Sequence, residues 1–215
     1  MKETRKIRAL SVSNLLKKKY VLLPFTGAWN DAFSEPQAFG VWFVYGESGN
    51  GKTSFAQQLV KYLDEDMNKR IAYMSLEELG GHTMQQSAIR ADWREHGSRV
   101  KILDEAYSPD EISEFLSRHK SPDVLIIDTI QYWQELYGFT FKRYLKLKHD
   151  HPKKLLIYIS HVDDNRPRGS LSQKILADAS LKIFVQGYRA FSKGRYIGPV
   201  GHYSVWPEKE KDIWI

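Results

Sequence analysis

The 215 residues of this chain, 42% of them hydrophobic, are enough to bury a substantial core in one α/β domain. The sequence contains no cysteine, which excludes disulfide bonds and cysteine-ligated zinc modules, and it has no apolar run of about 18 residues that would predict a membrane span. The N-terminal residues lack the apolar segment of a signal peptide, so we expect a cytoplasmic location. The net charge of +6 favours a polyanionic partner.

The first predicted strand leads directly into a glycine-rich loop. Val41–Tyr45 is a short apolar stretch of strand-forming residues, and Gly46–Thr53 reads G-E-S-G-N-G-K-T, which fits the phosphate-binding pattern G-x-x-x-x-G-K-[ST]. After the loop, apolar residues recur at helical spacing from Phe55 to Leu63. Strand, loop and helix in this order are the context that such a loop requires.

The chemistry of this loop predicts a nucleotide-binding site. Its glycines let backbone N–H groups surround an anion at the positive end of the following helix. Lys52 is positioned to reach the β and γ phosphates of ATP, and the Thr53 hydroxyl to ligate Mg²⁺. The alternative is a glycine-rich turn with an accidental Lys-Thr pair. The nucleotide-binding residues predicted in this segment are Gly46, Glu47, Ser48, Gly49, Asn50, Gly51, Lys52, Thr53 and Ser54.

Strands and helices alternate along the rest of the chain, which predicts a mostly parallel sheet flanked by helices. The predicted strands are Arg70–Ser75, Val100–Leu103, Asp123–Asp128 and Leu155–Ser160, with further strands or hairpins at one edge between Leu181 and Trp206. The predicted helices run from about Thr83 to Trp93, from Pro109 to near Lys120, and from after Asp128 through Tyr144. Ser108 and Glu111 fit a capping box at the start of the second of these helices.

Asp128 is the candidate second metal ligand. An acidic residue at the carboxyl end of a buried parallel strand points into the crevice where the phosphate loop also opens, so it can hold Mg²⁺ directly or through water. The alternative is that Asp128 caps the helix that follows it.

Four segments, in order, resemble motifs of the RecA-like ATPases, above all those of the RadA repair ATPases and the DnaB replicative helicase core. They are Tyr73–Glu78, Ile126–Gln131, Ile159–Val162 and Lys193–Gly198. The resemblance spans roughly residues 25–206 and implies a RecA-like core over residues 25–215, after a basic segment over residues 1–24 that could contact another subunit. We expect a version without the accessory domains of RadA or DnaB, similar to the short phage single-strand annealing ATPases.

The resemblance also implies roles for individual residues. Glu77 matches the glutamate that polarises the attacking water, with its neighbour Glu78 as the alternative. Gln131 is similar to the polar residue after the metal-binding aspartate, which could couple the nucleotide to DNA. His161 stands where RecA and DnaB carry a glutamine that senses the γ phosphate, and it matches the Ser/Gly-His-Val of RadA-like sequences; a core or capping histidine is the alternative.

Lys193-Gly194-Arg195 resembles the K-x-R element of DnaB and the KNRFG motif of RadA. Gly194 replaces the asparagine of the RadA motif, and Ile197 is inserted before the glycine. In the helicase this pair reaches the γ phosphate of the neighbouring subunit, which suits a planar, permanently charged arginine. The resemblance therefore implies that Lys193 and Arg195 act in trans in a ring or filament, whereas the alternative is an ordinary basic turn.

Two basic stretches could contact nucleic acid. The polar segment Asp163–Ser170 follows the strand from which RecA-like proteins project a DNA-binding loop, and we predict Arg166, Arg168 and Lys174 as DNA-binding residues. The second stretch contains Lys142, Arg143, Lys146 and Lys148, for which a solvated basic face is an equally good explanation.

These features lead to one main hypothesis and two alternatives. The main hypothesis is a Mg²⁺-dependent ATPase that acts on single-stranded DNA in recombination, repair or replication, as a homo-oligomer in the cytoplasm of a bacterial or phage-infected cell. One alternative is an assembly or accessory factor that changes state when it binds ATP and hydrolyses ATP slowly. The other is a small-molecule kinase, which is disfavoured because the basic lid of such enzymes is not evident and the Glu77 motif has no role there.

Overall fold

The computed structural model describes residues 9–93 and 99–214. Over these ranges the strands are β1 (Gly40–Tyr45), β2 (Ile71–Ser75), β3 (Val100–Ile102), β4 (Val124–Asp128), β5 (Leu155–Ser160), β6 (Val162–Asp163), β7 (Arg166–Pro167), β8 (Leu181–Gln186), β9 (Arg189–Gly194) and β10 (His202–Ser204). The helices are α1 (Val12–Leu16), α2 (Gly27–Phe33), α3 (Lys52–Glu65), α4 (His82–Arg90), α5 (Pro109–Ser117), α6 (Ile130–Tyr137), α7 (Phe141–Asp150), α8 (Gly169–Asp178) and α9 (Pro207–Lys211).

Eight strands form one sheet in the order β10-β9-β8-β1-β5-β4-β2-β3. The strands from β8 to β3 in this order pair in parallel, and β9 and β10 add antiparallel pairs at the β8 edge. Tyr45 pairs with Ser160, and Ser75 pairs with Asp128, so the carboxyl ends of β1, β2, β4 and β5 meet at one end of the sheet. Side chains that follow these strands are therefore brought together.

The sheet separates two apolar layers. In β1, Trp42 and Val44 face one layer with α2 and α3, while Val41 and Phe43 face the other with α5, α6, α7 and α8. This alternation follows from the two-residue period of a strand, and both layers are apolar because helices cover both faces of a parallel sheet. The arrangement fixes the strand ends on which the candidate site is built.

Most predicted elements are confirmed, including the strands before and after the glycine-rich loop and the edge hairpin near the C-terminus. The capping box is also present: the Ser108 hydroxyl accepts from the Glu111 N–H, and the Glu111 carboxylate accepts from the Ser108 N–H. The predicted helix from about Thr83 to Trp93 is shorter than expected, because α4 ends at Arg90.

The prediction of one helical stretch through Tyr144 is wrong. Gly138 adopts a left-handed conformation with φ 57° and ends α6, and the Thr140 hydroxyl then accepts from the Arg143 N–H and starts α7. A glycine after one helix and a threonine cap before the next are recognisable break signals. Helix α8 was not predicted, although Leu171 and Ile175 have helical spacing on its buried face.

The N-terminal segment joins the core at Leu23, which is buried two residues before the predicted start of the ATPase core. Leu22 makes a bridge to Gln37, whereas α1 has no buried residue. None of the helices in the described ranges is long and apolar enough to cross a bilayer.

Candidate active site

A cleft of about 280 Å³ opens at the carboxyl ends of β1, β2, β4 and β5. The turn between β8 and β9 and the segment before α9 close one side of it. The residues that line the cleft are Ser48, Gly49, Gly51, Lys52, Thr53, Ser54, Glu77, Asp128, Thr129, His161, Tyr188 and Trp206. The cleft thus joins the glycine-rich loop to three more of the motifs recognised in the sequence.

The glycine-rich loop has the backbone shape of an anion cradle. Gly49 and Gly51 have φ of 77° and 97°, which side-chain-bearing residues rarely adopt, and Gly51 leads into the N-terminus of α3. A Cβ atom at Gly46 would lie 2.1 Å from the Val185 carbonyl oxygen, so only glycine fits there. The Lys52 Nζ donates to the Glu47 carbonyl across the loop at 2.8 Å. Burial lowers the pKa of Lys52, an effect that Asp128 and Glu77 partly oppose.

Asp128 is a buried carboxylate at the centre of the site, with only 5% of its surface exposed. Its Oδ2 accepts from the Tyr73 hydroxyl at 2.7 Å and from the Thr53 hydroxyl at 3.4 Å. Burial raises the pKa of Asp128 to about 6, although the Tyr73 hydrogen bond opposes the shift. The peptide bond that follows Asp128 is cis.

The oxygens of Thr53 and Asp128 suit a Mg²⁺ ion that arrives with a nucleotide. Over residues 9–93 and 99–214, no group of three or more His, Asp or Glu side chains could hold a metal by itself. Mg²⁺ normally takes one or two protein oxygens and completes its six positions with phosphate and water oxygens. One hydroxyl and one carboxylate directed at each other beside the phosphate loop fit this mode of binding.

Glu77 faces the cleft and is held by His161. The His161 Nε2 lies 2.6 Å from the Glu77 Oε1, and the Thr129 hydroxyl donates to the same oxygen at 3.5 Å. The hydrogen bond with His161 lowers the pKa of Glu77, which keeps this carboxylate ionised. Glu78 does not line the cleft, and its Oε2 is buried with no hydrogen-bond partner in the described part of the chain. Of the two glutamates, Glu77 alone has the geometry of a group that acts in the cleft.

Gln131 lies behind His161 and does not line the cleft. Its side-chain amide donates to the hydroxyls of Ser160 and Ser172 and to the Arg168 carbonyl, and its Oε1 accepts from the His161 N–H. This bond network ties the end of β5 to α6 and to the start of α8. The geometry of Gln131 is that of a residue that positions His161 and the Arg168 backbone.

Lys193 and Arg195 lie at the opposite end of the sheet from the phosphate loop. Gly194 pairs with Leu181 at the amino end of β8, a strand parallel to β1. Arg195 lines a separate cavity of about 290 Å³ at the amino end of β1, beside Lys148 and Asp178. The side chains of Lys193 and Arg195 are therefore not brought to the cleft of their own chain.

The predicted DNA-binding residues do not form one basic surface. Arg166 is exposed on the β6–β7 hairpin, and Arg168 follows it. The Arg168 guanidinium is bound by the Asp163 carboxylate through contacts of 2.9 Å and 3.2 Å from Nε. Lys174 lies on α8 with its Nζ 5.9 Å from the centre of the Phe141 ring on α7. The hairpin adjoins the phosphate loop through a shallow groove lined by Glu47, His161 and Arg168.

Four residues at or beside the cleft were missed in the sequence. Tyr73 and Thr129 bind the carboxylates of Asp128 and Glu77, and both lie within segments that the resemblance had already marked. Tyr188 and Trp206 come from the C-terminal part of the chain and follow no local motif. The pairing of β8 with β1 brings Tyr188 to the loop, and the bonds of Val205 to Tyr188 and Gln58 bring Trp206 there. Contacts between such distant residues leave no signal in the sequence.

Comparison with known proteins shows the fold. No protein-family model matches the chain. The KaiC-like protein PH0186 from the hyperthermophilic archaeon Pyrococcus horikoshii OT3 superposes with a TM-score of 0.62 at 16% identity, over 86% of this chain and 98% of that one. The ATPase domain of G40P superposes with a TM-score of 0.54 at 14% identity, over 80% and 83% of the two chains. These likenesses and the sheet order confirm the predicted RecA-like P-loop fold, a mostly parallel sheet flanked by helices.

Proposed function

We propose that this protein is a Mg²⁺-dependent ATPase that acts on single-stranded DNA. The observation that carries the proposal is one cleft that holds Lys52, Thr53, Asp128, Glu77 and His161. A phosphate cradle, a hydroxyl–carboxylate pair for Mg²⁺ and an ionised carboxylate are the groups that phosphoryl transfer to water requires. The fold supports the ATPase part of this proposal, because the ATPase domain of G40P shares it.

In this proposal each side chain has one task. Lys52 leaves the Glu47 carbonyl and binds the β and γ phosphates of ATP. Thr53 and Asp128 would hold Mg²⁺, which would supply positive charge to offset that of the phosphate oxygens. Glu77 accepts a proton from the attacking water, and its lowered pKa keeps it in the ionised form that can accept one. His161 controls when that carboxylate is available, since the two side chains are hydrogen-bonded at 2.6 Å.

Binding to single-stranded DNA is supported by the net charge of +6 and by the β6–β7 hairpin beside the cleft. Gln131 connects the hairpin to the cleft, because its side chain is hydrogen-bonded to both the His161 N–H and the Arg168 carbonyl. Movement of the hairpin on a DNA strand would move His161, and with it the Glu77 carboxylate. We infer that DNA stimulates hydrolysis through this connection, in recombination, repair or replication.

The test is phosphate release from Mg²⁺-ATP with and without single-stranded DNA. We expect turnover that depends on Mg²⁺, rises at least several-fold with single-stranded DNA and is abolished in Lys52→Ala, whose lost charge acts on phosphate and not on the core. Lys61→Ala, which removes a half-buried lysine of the same helix that pairs with Asp92 outside the cleft, is the control and should keep full activity. Normal ATP turnover in folded Lys52→Ala would refute the assignment of the loop.

The hydrogen bond between Glu77 and His161 also favours a second candidate, a nucleotide-switched assembly factor with slow turnover. In the structure the Glu77 carboxylate, the proposed base, is already hydrogen-bonded to His161. This bond would slow the transfer of a proton from water to Glu77. A switch of this kind binds ATP tightly but releases phosphate slowly, with or without DNA. Stimulation of steady-state turnover by single-stranded DNA excludes the switch, and DNA-independent slow release after tight ATP binding excludes the DNA-stimulated ATPase.

A further inference from the structure

Two aromatic side chains stand at the mouth of the cleft, on the side away from Glu77 and His161. Trp206 is 42% exposed, which sets it apart from the tryptophans of the core, and Tyr188 is half-buried beside it. Their ring centroids are 5.7 Å apart and the planes meet at 74°. A tryptophan that is partly exposed in a cleft presents apolar ring surface that the packing of the chain leaves uncovered.

The backbone of Tyr188 adopts a conformation that its side chain disfavours. Gly187 and Tyr188 form the two-residue turn between β8 and β9, with φ of 52° and 59°. Turns of this type favour glycine at the second position, because a side chain there is strained at positive φ. Strained positions of this kind concentrate at functional sites, and a tyrosine held in one indicates that the ring is needed where it lies.

The turn is fixed to the phosphate loop. The Gly187 N–H donates to the Asn50 side-chain oxygen of the loop at 2.7 Å, and the Tyr188 carbonyl accepts from the Val205 N–H at 2.8 Å. The Tyr188 ring rests against Gly51, where an added Cβ would come within 3.1 Å of it. Tyr188 therefore keeps a constant position relative to the start of α3.

Trp206 is attached to α3 through the residue that precedes it. The Gln58 side chain of α3 donates to the carbonyl of Val205 at 3.0 Å, directly before Trp206. The Lys209 Nζ lies 4.2 Å from the centre of the indole ring, a cation–π contact that helps to hold the ring in place. Both rings are thus positioned from the loop and helix that would bind the phosphates.

We propose that Trp206, supported by Tyr188, stacks on the base of the nucleotide whose phosphates occupy the loop. This inference rests on the proposed function, since it adds the base-binding part to the same site. Stacking on an aromatic face tolerates any base and favours the larger purine rings. The site should therefore accept all four nucleoside triphosphates and bind ATP and GTP more tightly than CTP and UTP.

The test compares Mg²⁺-ATP with Mg²⁺-tripolyphosphate, which has the three phosphates and no base, by isothermal titration calorimetry. Wild type should bind ATP about tenfold or more tightly than tripolyphosphate, because base–aromatic stacking contributes gains of that order. Trp206→Leu keeps the apolar bulk but has no ring and should bring the two affinities close together. Trp206→Phe keeps a ring and should retain most of the difference. Tyr20→Ala, which removes another exposed ring outside the cleft, should behave as wild type.

Each outcome distinguishes the base site from the phosphate site. If Trp206→Leu and Trp206→Phe both keep the wild-type ratio of ATP to tripolyphosphate affinity, stacking on Trp206 is overturned while phosphate binding stands. If wild type binds neither ligand, the proposed function fails and the base site fails with it. Binding of both ligands, with a ratio lost in the leucine variant and kept in the phenylalanine variant, supports the inference.

Discussion

At the scale of single residues, the candidate site depends on carboxylates in contrasting surroundings. Asp128 is buried and its pKa is raised to about 6, whereas Glu77 is hydrogen-bonded to His161 and its pKa is lowered. The raised pKa means that the fold destabilises the charged form of Asp128, and a bound cation would stabilise that form. A lowered pKa keeps Glu77 as a carboxylate. These contrasting surroundings support our proposal that Asp128 binds the ion and Glu77 accepts the proton.

The proposed base predicts a separation of binding from chemistry. Glu77→Gln keeps the shape of the side chain but cannot accept a proton, so we expect ATP affinity close to wild type and phosphate release reduced by about 10²-fold or more. Glu78→Gln is the matched control, because Glu78 does not line the cleft, and it should hydrolyse ATP normally. An inactive Glu78→Gln beside an active Glu77→Gln would transfer the role to the neighbour. The measurements are nucleotide binding and phosphate release in each variant.

The raised pKa of Asp128 predicts that this carboxylate destabilises the fold at neutral pH. Its folded pKa of about 6 exceeds the ordinary value of 3.8, so the folded state binds the proton more tightly. The cost is absent below about pH 4, grows as the pH rises to about 6 and stays constant above that. Asp128→Asn can still accept from Tyr73 and should raise the free energy of unfolding by about 2–3 kcal/mol at pH 7.5, with little effect at pH 4.

Asp123 provides a control of opposite sign. It precedes the same strand, and although burial opposes the shift, hydrogen bonds from Arg70 hold its pKa below the ordinary value. Asp123→Asn should therefore destabilise the protein at pH 7.5, and the loss should shrink as the pH falls through the lowered pKa. Urea unfolding at pH 7.5 measures the sign for both variants, and at pH 4, above the lowered pKa of Asp123, Asp123→Asn should still be destabilised. A destabilised Asp128→Asn at pH 7.5 would show that the buried carboxylate does not carry this cost.

At the scale of elements, the sequence predicts best what local residues determine. The glycine-rich loop, the strands beside it and the capping box of Ser108 and Glu111 are each specified by neighbours in the chain. The break at Gly138 was overlooked because apolar spacing continues across it, and α8 because the polar hairpin before it suggested a long loop. Contacts such as Tyr73 with Asp128 join residues 55 positions apart, and only the sheet order brings them together.

The β6–β7 hairpin predicts how DNA contacts depend on its charges. Two aspartates and two arginines lie together there, and Asp163 neutralises the Arg168 guanidinium. Asp163→Asn should release Arg168 and strengthen single-strand binding, whereas Arg166→Ala together with Arg168→Ala should weaken it. Loss of two phosphate contacts lowers the slope of log affinity against log salt by about 1.4. Fluorescence anisotropy over a salt series measures this slope.

Lys174 gives the comparison for the hairpin. It lies over Phe141 on another face, so Lys174→Ala tests whether DNA also crosses α8. Equal salt slopes for wild type and for the double arginine variant, with a reduced slope for Lys174→Ala, would move the DNA site from the hairpin to α8.

At the scale of the whole molecule, the cleft and the Lys193–Arg195 element occupy opposite ends of one sheet. The hairpin of β8 and β9 connects them: its turn contacts the phosphate loop through Asn50, and the strand end beyond Gly194 carries Arg195 at the far end. A chain built this way cannot fold its own Arg195 back into its own cleft. Because the two surfaces face away from each other, head-to-tail contact between copies would join the cleft of one chain to Arg195 of the next, as in a ring or filament.

This arrangement predicts that two inactive variants restore each other. Arg195→Ala should lower turnover by at least about 100-fold if the arginine acts on the neighbour's γ phosphate. In a mixture with inactive Lys52→Ala, some interfaces join the intact cleft of an Arg195→Ala subunit to the intact Arg195 of a Lys52→Ala subunit. Such an interface is complete. At equal amounts and random assembly, roughly a quarter of the interfaces are of this kind. A mixture of Lys52→Ala with Glu77→Gln is the control and should stay inactive, because both changes lie in the same cleft and no complete cleft remains. Phosphate release is measured across mixing ratios, and light scattering checks that the subunits co-assemble. Restored release shows that Arg195 acts on the neighbouring subunit. Co-assembled Arg195→Ala and Lys52→Ala subunits that remain inactive at every ratio would reduce Lys193 and Arg195 to an ordinary basic turn.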